Sequence, residues 1–595
     1  MPGASFGIDL REQLPEDAFD RQPITESDRF MLVADVRLDN RDELLRDLGI
    51  AVAELADSDI LLQAWTRWKE ACLDRLVGDF AFALWDSAEQ RLTLARDATG
   101  QRPLLYCHDR GRVAFASMPK GLLKSGLVHT AFNLEMLAAE TLGIPNFSEA
   151  TCFDRISRVR PGHFATFDRK GTRQTKYWNP RTDFLDLSDD EFVEAYHEQM
   201  ERAVRPALRR KSGGIGVHLS SGFDSSAVAA VAARLSPEAK PVAFTSAPRL
   251  GFDGPVQRGR IADESELASL TAQMCGLEHV VVRPAGRVLE RLRRHVQLYQ
   301  EPNKNIPNMQ WWSDIHFAAR EKGISTLLTG EIGNLSIHAG ELVILADWLH
   351  RGDLLGWWRQ ASAVVKSGRV RWRGALINSF ESWLSPRLVR RLERHFMGVP
   401  PERDQSYLQD HWLRELQSAS FKASRILLRG SFNQRRLSAI RTEDIAIHRK
   451  GALAESGIDE RDPLANRRLI EFSLRLPPEQ LLQRGKWRPF AKRALAGHIP
   501  AEVIDASQRG YQGADWFERI SKDEARTMVH DISESRVVNR LLDLDRIRTD
   551  IDRWPAAGAA DLHSQMIFRG GLLWALSLGV FLAEFEPLVS SGEPA

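Results

Sequence analysis

The sequence predicts two domains of different class. An α+β domain spans about residues 1 to 180, and an α/β domain with a doubly wound parallel sheet spans residues 181 to 595. Three observations carry this. The first third holds short alternating strands and turns with one or two helices. Later, short apolar runs alternate with helical patterns, which builds a parallel sheet with its ligands at the strands' C-terminal ends. The first of those runs ends in Ser220-Ser221-Gly222-Phe223-Asp224-Ser225, a small, hydroxylated and acidic turn leading into a helix.

In the first domain, Val33–Leu38 alternates as a strand and Asp39-Asn40 turns the chain. Asp57 to Leu76 has helical spacing. Phe80–Trp85 and Leu92–Asp97 are buried strands, and Phe115-Ala116-Ser117 closes the set. Gly78–Asp86 fits G-x-F-A-F-x-x-W-D, Ala95–Leu104 fits A-R-D-x-x-G-x-[KR]-P-L, and Pro161-Gly162-His163 and Tyr177-Trp178 follow. In this order the pieces resemble the N-terminal glutaminase domain, of N-terminal-nucleophile type, of class B asparagine synthetases. That family's nucleophile is a cysteine at the extreme N-terminus, whereas the first cysteine here is Cys72. Without an activated thiolate there is no acyl-enzyme route, so the domain is expected to be a retained scaffold that releases no ammonia.

Asn179-Pro180 begins a linker, and Ser188-Asp189-Asp190-Glu191 has capping-box spacing for a helix running to about Arg210. Ile215–Leu219 then reads as a buried parallel strand and Ser226–Leu235 as the helix after the turn. Outward N–H groups and the helix dipole at such a turn suit a phosphate, and Asp224 suits Mg²⁺, which takes a few carboxylates plus phosphate oxygens. The turn resembles the pyrophosphate loop, S-G-G-x-D-S, of the ATP-pyrophosphatase (PP-loop) superfamily, the adenine-nucleotide alpha-hydrolase-like fold, with Ser221 in place of the first glycine. It is not a Walker loop.

Pro241–Ser246, His279–Val282 and Ser325–Leu328 are the next strands, with helices opened by Asp263-Glu264-Ser265-Glu266 and running from about Asp314 to Lys322. The last strand delivers Thr329-Gly330-Glu331-Ile332-Gly333-Asn334-Leu335-Ser336-Ile337. Asparagine synthetases carry S-G-E-G-x-D-E there, so Glu331 keeps an acidic residue and Asn334 replaces an aspartate. This variant resembles the lasso-peptide macrolactam synthetases, cyclases on the asparagine synthetase fold. Glu301-Pro302-Asn303 with Asn308, Trp311 and Trp312 is similar to their substrate-side loop. Arg461–Leu469 fits R-D-P-x-x-[DN]-R-R-L, and Arg509–Trp516 fits R-G-x-Q-x-x-D-W.

The resemblance implies an ATP- and Mg²⁺-dependent, AMP-forming ligase that joins an Asp or Glu side chain of a leaderless core peptide to that peptide's own N-terminal amine. Its usual partners would be a leader peptidase and a leader-recognition protein. Leu219, Ser220, Ser221, Gly222, Asp224, Ser225, Ser246 and Gly330 would hold ATP and its pyrophosphate. Asp224, Glu331 and Asn334 would form the metal side. Glu331, Arg488 and Lys486 would be catalytic, Arg488 standing by count where the parent family has a lysine and Lys492 lying nearby. No base is assigned to the attacking amine; His338 is one candidate. Two other readings remain open: a related ligase acting on a small amino acid, β-lactam synthetase-like or ammonia-dependent, and an inactive binding scaffold.

Between 341 and 450 the chain reads as a helical insertion. Lys366, Arg369, Arg371, Arg373, Arg387, Arg390, Arg391 and Arg394 are interleaved there with Trp372 and Trp383 and offset only by Glu381 and Glu393. That stretch is either a solvated face or a docking surface for a partner protein or acidic peptide. The chain as a whole carries a formal charge of +1, which argues against nucleic acid and membrane partners. Four separated cysteines with no C-x-x-C and no signal pattern at Met1–Ala4 lead to a cytoplasmic expectation. The longest apolar run, Gly570 to Ala583, is 14 residues, short for a bilayer, and reads as a buried helix.

Overall fold

The computed structural model describes residues 3–51, 54–109, 111–283, 285–340, 342–368, 370–416 and 430–589; Arg369 lies outside them. The first domain is built on a six-stranded antiparallel sheet: Ile24–Glu26, Phe30–Leu38, Gly78–Asp86, Arg91–Arg96, His163–Asp168 and Gly171–Lys176, in that spatial order. Alternation gives the sheet two apolar faces. Phe80, Phe82 and Leu84 meet the helix Asp57–Trp68 on one face, and Met31, Ala83 and Leu94 pack with Tyr106 and Val159 on the other. The 57–76 helix is shorter than its spacing predicts, because a 3₁₀ stretch takes over at Lys69, where φ is +51°.

The second domain carries a five-stranded, all-parallel sheet of β1 (Gly214–His218), β2 (Val242–Ser246), β3 (His279–Val282), β4 (Ile324–Leu328) and β5 (Asp459–Arg461), ordered β3-β2-β1-β4-β5. The helix α1 (Asp189–Ala207) starts with the expected capping box, Ser188 Oγ accepting from the Glu191 N–H. The helices α2 (Phe223–Leu235) and α3 (Ser265–Cys275) follow β1 and β2. The chain moves from β1 outward to β3, then crosses back to place β4 on the other side of β1. The switch point of the sheet therefore lies between the C-terminal ends of β1 and β4, where an open α/β sheet receives its ligand.

Two elements differ from expectation. The helix α5 (Ile306–Glu321), which follows α4 (Val288–Tyr299), begins eight residues before Asp314. Asn305 caps it, accepting from the Asn308 N–H at 3.3 Å, and Pro307 occupies its first turn. Asn308, Trp311 and Trp312 are therefore helical rather than part of a loop. The strand β5 was not foreseen, because Asp-Glu-Arg lacks any apolar pattern. The helix Leu562–Leu588 is also longer than its apolar run, at 27 residues, and by length and composition could cross a membrane. Its residues Leu573–Phe585 are mostly buried, and Phe581 packs on Phe132 and Phe153 of the first domain at 5.8 and 6.0 Å between ring centres.

Charge joins the domains as firmly as this apolar contact. The Arg96 guanidinium grips Asp444 at 2.5 and 2.9 Å, and Arg158 adds a third contact at 3.1 Å. Lys450 reaches Asp35 at 2.7 Å and the Trp178 Nε1–H donates to Glu471 at 2.9 Å. Burial pushes the Asp444 carboxyl up, but Arg96 and Arg158 outweigh it and hold it at about 2. The folded pKa lies below the unfolded value of about 3.9. The stabilisation from Asp444 is therefore complete above about pH 4 and lost as pH falls through about 2. Asp444→Asn should cost about 3–5 kcal/mol, as expected when one partner of a buried pair is removed, lowering the Tm in a thermal scan and flattening the acid limb of stability. An unchanged Tm and acid limb would remove Asp444 from the interface.

Candidate active site

The turn after β1 is stitched by its own hydroxyls. The Ser220 N–H donates to Ser225 Oγ at 3.0 Å, the Ser220 and Ser225 hydroxyls lie 2.8 Å apart, and the Gly222 N–H donates to Ser220 Oγ at 3.1 Å. Gly222 caps α2, whose first-turn N–H groups lack helical partners. Ser221, the position that departs from the glycine of the loop pattern, donates both its N–H (2.9 Å) and its hydroxyl (2.8 Å) to Glu264 Oε2. A carboxylate already stands on this loop amide, so the donor is oriented for an oxyanion. Burial raises the Glu264 carboxyl, with the Ser221 bonds opposing. Gly510, in the late R-G-x-Q element, makes room for it: a Cβ there would fall 2.3 Å from the Glu264 carboxyl.

Leu219 and Ser246 end β1 and β2 side by side. The Leu219 N–H donates to the Phe244 carbonyl at 2.8 Å, and the Leu219 carbonyl accepts from the Thr245 hydroxyl at 2.7 Å. Ser246 is half-buried at the end of β2. The loop after β4 closes on the turn from the other side. A Cβ on Gly333 would lie 2.0 Å from Asp224 Oδ1, and one on Gly330 would lie 3.0 Å from the Asp224 carbonyl carbon, so glycine permits this approach. Asp224 Oδ1 also lies 2.6 Å from His338 Nδ1, and His338 Nε2 lies 3.0 Å from the Tyr196 hydroxyl. His338 is fully buried behind Asp224. It orients that carboxylate, with its second ring nitrogen on Tyr196.

Asn334 Oδ1 accepts from Arg488 Nη2 at 3.1 Å, and the Arg488 guanidinium sits over the Phe223 ring at 5.9 Å, beside the loop. Arg488 adopts φ +52° at the head of Pro489–Leu495. Lys486 is exposed on the short strand Lys486–Trp487, and Lys492 pairs with Asp505 at 3.0 Å. Of the three cations, the structure therefore brings Arg488 to the loop.

Glu331 is the member of the site held by the rest of the fold. Arg449 Nη2 lies 3.1 Å from Glu331 Oε2 and 3.9 Å from Asp462, and Arg449 Nε lies 3.6 Å from Glu460. Glu460 also accepts from Trp312 Nε1 at 2.8 Å, and Asp462 accepts from the Ile332 N–H at 3.0 Å. Burial, then repulsion from Glu460, pushes the Glu331 carboxyl up against the pull of Arg449. Sequence reasoning missed Glu264, Arg449, Glu460 and Asp462. The R-D-P element contains Asp462, and the helix-opening D-E-S-E contains Glu264. Arg449 and Glu460 left no local signal. Among the described residues no three His, Cys, Asp or Glu side chains form a metal-binding group. Asp224 is the loop carboxylate, and with Oδ1 held by His338 and packed against Gly333 it would meet a Mg²⁺ completed by phosphate and water through its other oxygen.

A cavity of about 1280 Å³ lies between the domains. Its wall includes Glu331, Trp312 and His448 on the synthetase side, and Arg158 with Asp444 at the interface. Glu331 is thus shared: its loop touches Asp224, and its side chain lines the cavity. The four cysteines are free. Cys72, Cys107 and Cys152 are buried, and burial raises all four thiols, so none is an activated thiolate.

Comparison with known proteins agrees with this architecture. Residues 16–178 match the glutamine amidotransferase domain and residues 195–575 match asparagine synthase. The chain is 23% identical to a glutamine-hydrolysing asparagine synthetase of Bacillus subtilis (strain 168) over 555 residues, covering 88% of this chain and 84% of that protein. It is 27% identical to an amidase of Gibberella zeae over 308 residues, covering 50% of this chain and 45% of that protein. An NH3-dependent NAD synthetase structure from Campylobacter jejuni overlaps 36% of this chain and 98% of its own, at 17% identity and a TM-score of 0.18. An N-terminal glutamine amidotransferase domain thus precedes an α/β synthetase domain, and the chain belongs to the asparagine synthase family, whose members are ATP-dependent ligases that form carbon–nitrogen bonds and release AMP.

Proposed function

We propose that this ligase closes a macrolactam in a lasso peptide. The observation that carries the reading is the cavity at Glu331. At about 1280 Å³ it exceeds the roughly 300–1000 Å³ of small-molecule sites, and it ends at the residue that also closes on the phosphate loop. A lone amino acid does not need that space; a folded peptide segment does. The G-E-x-G-N-x-[ST]-I variant at Gly330–Ile337 supports the same class. The absence of an activated thiolate among the four cysteines fits a reaction that uses no ammonia.

In this scheme an Asp or Glu carboxylate of the leaderless core peptide attacks the α-phosphate of ATP, and pyrophosphate leaves. The peptide's N-terminal amine then attacks the acyl carbon, loses a proton and expels AMP. Ser220, Ser221, Gly222 and Ser225 hold the pyrophosphate, and Arg488 balances its developing charge. Asp224 would hold Mg²⁺, which supplies positive charge against the leaving group. The cavity fixes the amine near the acyl carbon and makes the second step effectively unimolecular. A leader peptidase and a leader-recognition protein would supply the substrate, in the cytoplasm.

The reading is tested by mass spectrometry of the cognate core peptide with enzyme, ATP and Mg²⁺, following AMP in parallel. Loss of one water from the peptide with AMP formed, both abolished in Asp224→Ala, is the expected result. AMP formed with a small amino acid and none with peptide would replace the macrolactam by a small amide. No nucleotide turnover with either would leave a binding scaffold. Arg488→Ala should lower kcat by about 10²-fold, the scale of one lost oxyanion donor. Lys486→Ala, away from the loop, should change it little. Equal losses in the two variants would refute the assignment to Arg488.

A further inference from the structure

The helical insertion carries a surface that the proposed chemistry does not use. Residues 354–397 hold nine Lys and Arg against two acids, a net +7 in a chain whose total is +1. Among the described residues, nine of the seventeen exposed large apolar side chains also fall there. They lie on three helices, Leu354–Lys366, Trp372–Phe380 and Pro386–Met397, except Trp383 in the turn between the second and third.

The apolar members form one connected ridge. Leu354 and Leu355 are 66% and 71% exposed and lead into Trp358, which stacks on Trp372 at 5.1 Å and 24°. Trp357 meets Phe380 at 5.9 Å, Phe380 meets Trp383 at 6.0 Å, and Trp383 lies 4.5 Å from His350. Arg373 lies over Phe396 at 5.2 Å and ties the second helix to the third. Exposed Arg359, Lys366, Arg371, Arg387 and Arg391 are set among these rings. Trp and Arg clustered around an apolar centre are the residue types that dominate protein interfaces.

We propose that this ridge docks an acidic amphipathic helix of a partner protein. Charge selects an acidic partner, and the exposed aromatic centre selects one with an apolar face. A protein fits better than an anionic bilayer because the third helix continues into the substrate cavity, whose wall includes Arg390 and Arg394. A partner seated on the ridge therefore contacts a helix that also forms part of the cavity wall. The aromatic rings also pack on one another between the first two helices and Trp383, instead of forming the single apolar stripe that lies in a membrane interface.

The test is fluorescence anisotropy of the full chain with a labelled helical peptide of about five turns, Leu and Phe on one face and Glu on the other. A second peptide with Lys replacing Glu is the control. The Glu peptide is expected to bind, and the Lys peptide to bind at least tenfold more weakly. Binding should fall at least tenfold in Arg371→Glu/Arg373→Glu/Arg391→Glu, in Trp358→Ser/Trp383→Ser, and in about 0.5 M salt, where screening reaches only a few Å. An unchanged circular dichroism spectrum would confirm that the variants are folded. Equal binding of the two peptides, no binding of either, or Glu-peptide binding that survives both variants would overturn the proposal. Capture of the chain by phosphatidylglycerol vesicles, lost in the same variants while the Glu peptide fails to bind, would overturn it in favour of a membrane.

Discussion

One guanidinium makes the acidic half of this site tenable. Glu331, Glu460 and Asp462 converge on Arg449 within 3.1–3.9 Å. Glu460 and Asp462 are buried and could not both stay ionised this close without a fixed cation, whereas Glu331 keeps 34% of its side chain exposed. Arg449 also donates to Gln101 of the first domain. The same residue therefore compensates the acids, fixes Glu331 at the end of the cavity, and attaches the site to the amidotransferase-type domain. Removing it would leave buried like charges, which is far more costly than losing an exposed ion pair.

That attachment explains why the first domain persists where its thiols are not activated. Its A-R-D-A-T-G-Q-R segment is structural: Asp97 accepts from the N–H groups of Thr99, Gln101 and Arg102 at 2.9–3.2 Å, and Arg96 extends to Asp444. Burial and repulsion from Asp79 push the Asp97 carboxyl to about 6. Phe132 and Phe153 meanwhile cover the apolar helix at the end of the synthetase domain. Deleting the domain would expose that helix and remove one wall of the cavity, so packing and cavity geometry give it a structural role.

Much of the architecture was legible because apolar period and turn chemistry announce themselves. The strands Gly214–His218, Val242–Ser246 and Ile324–Leu328 are mostly buried and His279–Val282 is a half-exposed edge strand, all in parallel register. The Ser220–Ser225 turn sits where its composition places it. What escaped is what tertiary contact supplies. The strand β5 is made of Asp459, Glu460 and Arg461, all buried, with Arg461 paired to Asp459 at 2.6 Å and bound to the Ala207 carbonyl at 2.9 Å. No one-dimensional pattern marks a charged strand whose partners lie far away in sequence. The Glu264–Ser221 bond was hidden for the same reason, since 43 residues separate its ends.

The charge layout also separates a cationic side of the site from an acidic one. On the phosphate side, the head of α2 and Arg488 are positive, and Asn334 is neutral where the parent family has an aspartate. The amide accepts from Arg488 without cancelling its charge. On the cavity side, partial burial and repulsion from Glu460 raise the Glu331 carboxyl while Arg449 at 3.1 Å opposes them.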